Sequence, residues 1–170
     1  MPTRPDPAPL TRRDWLRHAT AAAIALVTGR RLDAASAKGA TDAPPPMVVY
    51  KDPNCGCCTL WNEHMTAAGF RLQVKDTAQM AQVKGAIGVP AALQSCHTGV
   101  IAGYFIEGHV PADLVHKLLR EKPAIAGLAV PGMPAGSPGM EGPPPERYQI
   151  LAVSRTGTTS VYATRMGKAR

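Results

Sequence analysis

The chain has 170 residues, 45% of them hydrophobic, and a formal net charge of +7 from 19 Lys and Arg against 12 Asp and Glu. Six of the basic residues fall in the first 37 positions, and those that follow are scattered, with no basic run and no interleaved aromatics; nucleic-acid binding therefore has no footprint here. No segment beyond position 37 is long and apolar enough for a permanent membrane anchor.

Residues 1–37 read as a leader rather than as part of a fold. Thr11-Arg12-Arg13-Asp14-Trp15-Leu16-Arg17 carries paired arginines followed by apolar residues, Ala19 to Val27 is Ala-rich, and Ala35-Ser36-Ala37 offers a small-x-small cleavage site. That order predicts a twin-arginine signal peptide, export to the periplasm, and a partnership with the twin-arginine export machinery. Residues 38–46 form a polar linker ending in prolines, and residues 47–170 suit one domain with a modest core.

In chain order, Met47 to Lys51 predicts a buried strand, and Thr59 to Ala68 a helix stopped by Gly69. Phe70 to Val74 alternates as a second strand, and Ala78 to Ile87 predicts a helix ending at Gly88. Val89-Pro90 breaks the chain, Val100 to Ile106 supplies further strand, and Pro111 to Glu121 predicts a third helix with Pro111 near its first turn. Pro123 to Glu146, with seven prolines, predicts a stretch without regular structure that holds Met133 and Met140 in rigid turns. Tyr148 to Val153 and Thr159 to Tyr162 then read as a hairpin around Arg155-Thr156-Gly157. The fold class is α/β: a thioredoxin-like mixed sheet flanked by helices, with a Pro/Gly/Met-rich loop and a C-terminal β-hairpin.

Three of the four cysteines crowd into Asn54-Cys55-Gly56-Cys57-Cys58, between the first strand and the first helix. A helix N-terminus favours the thiolate, which is both nucleophile and metal ligand. Cys55 and Cys58 have the spacing of a redox pair, whereas on a continuous helix Cys57 would point about 200° away from Cys55. All three thiols converge only if Cys55 to Cys57 is loop, which Gly56 permits. Cys96 joins them only if the stretch from Pro90 to Ser95 is bent, because a straight strand would carry it about 20 Å away.

Adjacent cysteines suit copper(I), which accepts soft bridging thiolates. Structural zinc would need a second, separated ligand pair, and iron–sulfur ligation has wider spacing. Met133, Met140, His97 and His109 are further candidate ligands; His64 and His116 lie on helical stretches, where a packed histidine is the commoner outcome. A thiol–disulfide oxidoreductase using Cys55 and Cys58 is the alternative reading.

The segments Lys51-Asp52-Pro53-Asn54-Cys55-Gly56-Cys57-Cys58, Gly88-Val89-Pro90, Ser95-Cys96-His97-Thr98, Ile106-Glu107-Gly108-His109-Val110-Pro111 and Gly127 to Glu141 resemble the CopG-type periplasmic copper-resistance proteins. The resemblance runs from about Met47 to the end of the chain. It implies a thioredoxin-like fold, a copper cluster bridged by Cys55, Cys57, Cys58 and Cys96, and cycling between copper(I) and copper(II). The expected partners are copper ions and other periplasmic copper-handling proteins.

Overall fold

A computed structural model describes residues 44–142 and 144–169, so the expected leader and most of the linker lie outside the described residues. Seven strands form one mixed sheet: β1 (Met47–Lys51), β2 (Leu72–Asp76), β3 (His97–Ile101), β4 (Tyr104–Glu107), β5 (Gly127–Ala129), β6 (Arg147–Val153) and β7 (Thr159–Met166). The helices are α1 (Gly56–Ala67), α2 (Met80–Ile87) and α3 (Ala112–Glu121), with a 3₁₀ turn at Ala91–Leu93. The strand order is β2-β1-β3-β4-β5-β6-β7. The β1–β2 and β4–β5 pairs are parallel and the other pairs antiparallel.

Local chemistry explains most of the punctuation. Ala102 and Gly103 both take positive φ, 48° and 82°, the two-residue turn whose twist suits the β3–β4 hairpin. Helix α2 stops at Gly88, whose φ of 87° lets the backbone turn back onto the Lys84 carbonyl. Pro111 sits just before α3, where a missing N–H costs nothing. In α1 the buried side chains are Cys58, Trp61 and Met65, one stripe at helical spacing.

The core lies on both faces of the sheet. On one side Met47, Val49 and Ile106 pack with Trp61 and Met65 of α1 and Leu114, Val115 and Leu118 of α3. On the other, Phe105, Ala129 and Val153 pack with Val89 and Leu93 beyond α2. Phe105 and Ile106 are neighbours serving opposite faces, as the two-residue period of a strand requires. The expected mixed α/β sheet with a closing C-terminal hairpin is therefore present.

Several boundaries differ from expectation. Helix α1 begins at Gly56 rather than Thr59, so Cys57 and Cys58 are already helical. Strand β2 starts two residues later than expected, at Leu72, because Gly69 and Phe70 are spent turning the chain out of α1. Helix α2 begins at Met80 instead of Ala78, after a Thr77–Gln79 side-chain turn. The segment from Pro123 to Glu146 is not wholly irregular, because Gly127–Ala129 is a fully buried strand. Three residues are too few to show a period, and pairing with β4 and β6 on either side holds them extended. Strand β7 runs on past Tyr162 to Met166 along β6.

Candidate metal centre

The site forms where the N-terminus of α1, the start of β3 and the end of β4 meet. Cys55 is the residue before α1 and keeps extended angles, φ −77° and ψ 95°. The 100° helical step therefore does not apply between Cys55 and Cys57. The Cys55 and Cys57 sulfurs lie 3.5 Å apart although Cys57 is inside the helix, so only Cys55, not the whole Cys55–Cys57 segment, needs to be loop. Cys55 and Cys58 form a disulfide with Cα atoms 5.4 Å apart, while Cys57 and Cys96 are free thiols.

Cys96 reaches this cluster because the 3₁₀ turn at Ala91–Leu93 bends the chain after Pro90. Its Sγ lies 3.8 Å from Cys57 Sγ, and the sulfurs of Cys55, Cys57, Cys58 and Cys96 all fall within 4.8 Å of one another. A second group shares the same corner: Cys96, His97 and His109 also present donor atoms within 4.8 Å. Cys96 Sγ is 3.1 Å from His109 Nε2 and 3.4 Å from His97 Nδ1.

His109 arrives with its tautomer decided. Its Nδ1 lies 2.8 Å from the Pro138 carbonyl oxygen, which can only accept, so Nδ1 carries the proton. Nε2 then points a lone pair at Cys96, the usual arrangement of a ligating imidazole with an outer-shell carbonyl. Burial holds the His109 pKa below the ordinary value, which keeps the ring neutral. His97 is fully buried, and burial, His109 and Lys84 together push its pKa well down. Its ring is wedged between Trp61, at a centroid distance of 4.3 Å, and His109, at 5.1 Å. Among the described residues its Nε2 has no hydrogen-bond partner. The Cys96 thiol is pushed up to about 11 by burial and by the neighbouring Cys57.

The Pro/Gly/Met-rich loop is a lid on this corner. Gly139 has φ +85°, and a Cβ there would lie 2.8 Å from both the Cys57 carbonyl oxygen and the Trp61 nitrogen. The loop backbone thus rests on the first turn of α1, which places the Pro138 carbonyl against His109. Met140 is half-buried beside this contact, and Met133 is 55% exposed.

His64 and His116 have structural duties. His64 Nε2 accepts the Ala112 N–H at the start of α3, so its lone pair is engaged. His116 Nε2 donates to the Ala68 carbonyl oxygen and its ring stacks on Phe70. Sequence reasoning missed the group just behind Cys96. Glu107 and Lys84 form a buried ion pair, and Thr98 Oγ1 donates to Glu107 at 2.6 Å. The available signal was a glutamate closing the apolar strand Tyr104-Phe105-Ile106-Glu107.

The donors fit copper(I): sulfurs and a neutral imidazole nitrogen aimed at one corner, with no carboxylate among them. The disulfide must be reduced before all four sulfurs are available as thiolates. Residues 93–140 match a family described as a protein of unknown function, DUF411. A solved structure of the copper resistance protein copG, form 2, is 48% identical with a TM-score of 0.68, over 72% of this chain and 98% of that one. Form 1 gives the same identity and TM-score over 73% of this chain and 99% of its own. No curated protein matches.

Proposed function

This chain belongs to the CopG family of copper-resistance proteins, and on that premise we propose that it is an exported protein that holds copper in a cysteine cluster. The observation that carries the proposal is the convergence of Cys55, Cys57, Cys58 and Cys96 within 4.8 Å, with the His109 lone pair beside Cys96. Once reduced, the four thiolates would hold copper, His109 and His97 would add nitrogen donors, and Met133 and Met140 would be reserve thioethers on the covering loop. Bound copper would supply a redox couple between copper(I) and copper(II). The chain's own part is to supply soft donors and to keep water out beneath Trp61 and the loop.

The order β2-β1-β3-β4, with α1 and α2 as the first two connections, supports a thioredoxin-like first half. The paired Arg12-Arg13 and the Ala35-Ser36-Ala37 site support twin-arginine export to the periplasm, where other copper-handling proteins would be its partners.

A second reading is favoured by one observation, the Cys55–Cys58 disulfide with the free Cys57 sulfur 3.5 Å from Cys55. That arrangement suits thiol–disulfide exchange. One experiment separates the two. The purified protein is reduced, loaded anaerobically with copper(I), and challenged with a chelator, and in parallel assayed metal-free for insulin reduction. Copper held against the chelator with negligible turnover supports the copper site. Rapid stripping with turnover retained by Cys57→Ser would replace it with the oxidoreductase.

A further inference from the structure

We propose that Glu107 is the positioning residue of the copper site: with Lys84 and Thr98 it clamps the bend that carries Cys96 and so fixes the thiol against His109. The proposal rests on the copper reading above for its purpose but not for its geometry.

Glu107 is the last residue of β4 and is fully buried. Thr98 stands directly opposite it on β3, so the two side chains share a face, the one that carries Phe105. Lys84 of α2, only 3% exposed, reaches the same spot, pairs with the Glu107 carboxylate and donates to Thr98 Oγ1 at 3.0 Å. The same carboxylate oxygen that takes Lys84 also accepts the backbone N–H of Ser95 at 2.6 Å. Ser95 Oγ in turn donates to the Gly132 carbonyl oxygen at 2.6 Å, which ties the bend to the Pro/Gly-rich loop.

Packing alone does not require this. A buried ion pair is poor evidence of stability, because apolar residues of similar volume serve a core as well or better. The contact that an apolar pair cannot reproduce is the one to Ser95 N–H, one residue before Cys96. The next residue, Gly108, takes φ +68°, and a Cβ there would lie 2.8 Å from Ser95 Cβ and 2.6 Å from the Val130 oxygen. The Ser95–Cys96 bend therefore lies directly on the backbone between Glu107 and His109. Gly108 N–H also donates to the His97 carbonyl oxygen at 3.0 Å. Glu107 thus stands two residues before His109 and holds, through one hydrogen bond, the residue that precedes Cys96.

The test uses a triple variant, Lys84→Met/Thr98→Val/Glu107→Leu, which removes the three polar side chains together and leaves no buried charge. In metal-free protein with the Cys55–Cys58 disulfide intact, N-ethylmaleimide labelling is resolved at Cys57 and Cys96 by peptide mass spectrometry. The Cys96/Cys57 rate ratio is expected to rise on the order of tenfold in the triple variant, as local opening of the bend becomes easier. Lys84→Met/Glu107→Gln, which keeps an oxygen for Ser95 N–H and leaves no buried charge, should keep a ratio close to that of the unmodified protein. Copper(I) affinity of the reduced triple variant should fall about 10–100-fold, the usual effect of losing an outer-shell partner. An unchanged ratio in a folded triple variant overturns the proposal. Amide hydrogen exchange in the unmodified protein decides it independently of any variant: Ser95 N–H should be strongly protected, and exchange at the rate of a free peptide overturns the clamp. Failure of the unmodified protein to hold copper(I) would sink the copper reading, while the labelling ratio and the amide exchange would still decide the positioning role.

Discussion

His109 Nε2 lies 3.1 Å from Cys96 Sγ, and the opposite ring nitrogen donates to the Pro138 carbonyl oxygen. One imidazole thus joins the thiol cluster to the loop that covers it. His109→Phe keeps the ring and removes both nitrogens. Copper(I) affinity, measured by competition with a chromophoric chelator, is expected to fall by at least about tenfold, with the four thiolates still retaining metal. An unchanged affinity would remove His109 from the ligand set.

The Cys96 thiol, raised to about 11, gives a pH signature. Burial favours the neutral form, so the thiolate fraction at Cys96 should climb about tenfold per pH unit from pH 8 to 10, where an ordinary thiol levels off above its pKa of about 8.5. Site-resolved alkylation of the metal-free protein across that range measures it. The sign for stability follows, because the folded chain keeps this proton longer than the unfolded chain does. The contribution is complete below the unfolded pKa and is lost as pH rises toward 11. Levelling at Cys96 by pH 9 would contradict the burial argument.

Gly139→Ala tests the lid. The added Cβ meets backbone atoms of Cys57 and Trp61 at 2.8 Å, at a residue with φ +85°. The clash cannot be relieved by a side-chain rotation, so the loop must lift. Thermal or urea unfolding should show a loss of about 1–3 kcal/mol from backbone strain alone. Copper(I) should also dissociate faster, since the Pro138 carbonyl moves away from His109. Gly142→Ala is the control, because a Cβ there meets nothing within 4 Å.

Export is tested by Arg12→Lys/Arg13→Lys in the full chain. The expected outcome is precursor retained inside the cell, read by fractionation and immunoblotting. A twin-arginine route carries folded proteins, which would spare four thiols from pairing wrongly in an oxidising compartment. Rerouting residues 38–170 behind a general secretory leader should therefore lower copper loading. Equal loading by both routes would make the route incidental.

The amino-acid sequence by itself was enough to determine the thiol cluster, the buried stripe of α1 through Trp61 and Met65, the stop of α2 at Gly88 and the closing hairpin. These features rest on local chemistry, namely side-chain identity, short-range periodicity and backbone freedom, all of which are written within a few neighbouring residues. Tertiary structure alone decided whether Cys96 reached the other thiols, because that depended on a 3₁₀ turn at Ala91 to Leu93, and the helical preference of three residues is too short a signal to fix a turn by itself. It also decided the His109 tautomer through a carbonyl 29 residues away, and it made a strand of Gly127–Ala129 by supplying a partner on each side. Glu107 is the sharpest case. In sequence it is one carboxylate at the end of an apolar strand; its role exists only once α2 brings Lys84 over the sheet and the bend brings the Ser95 N–H to meet it.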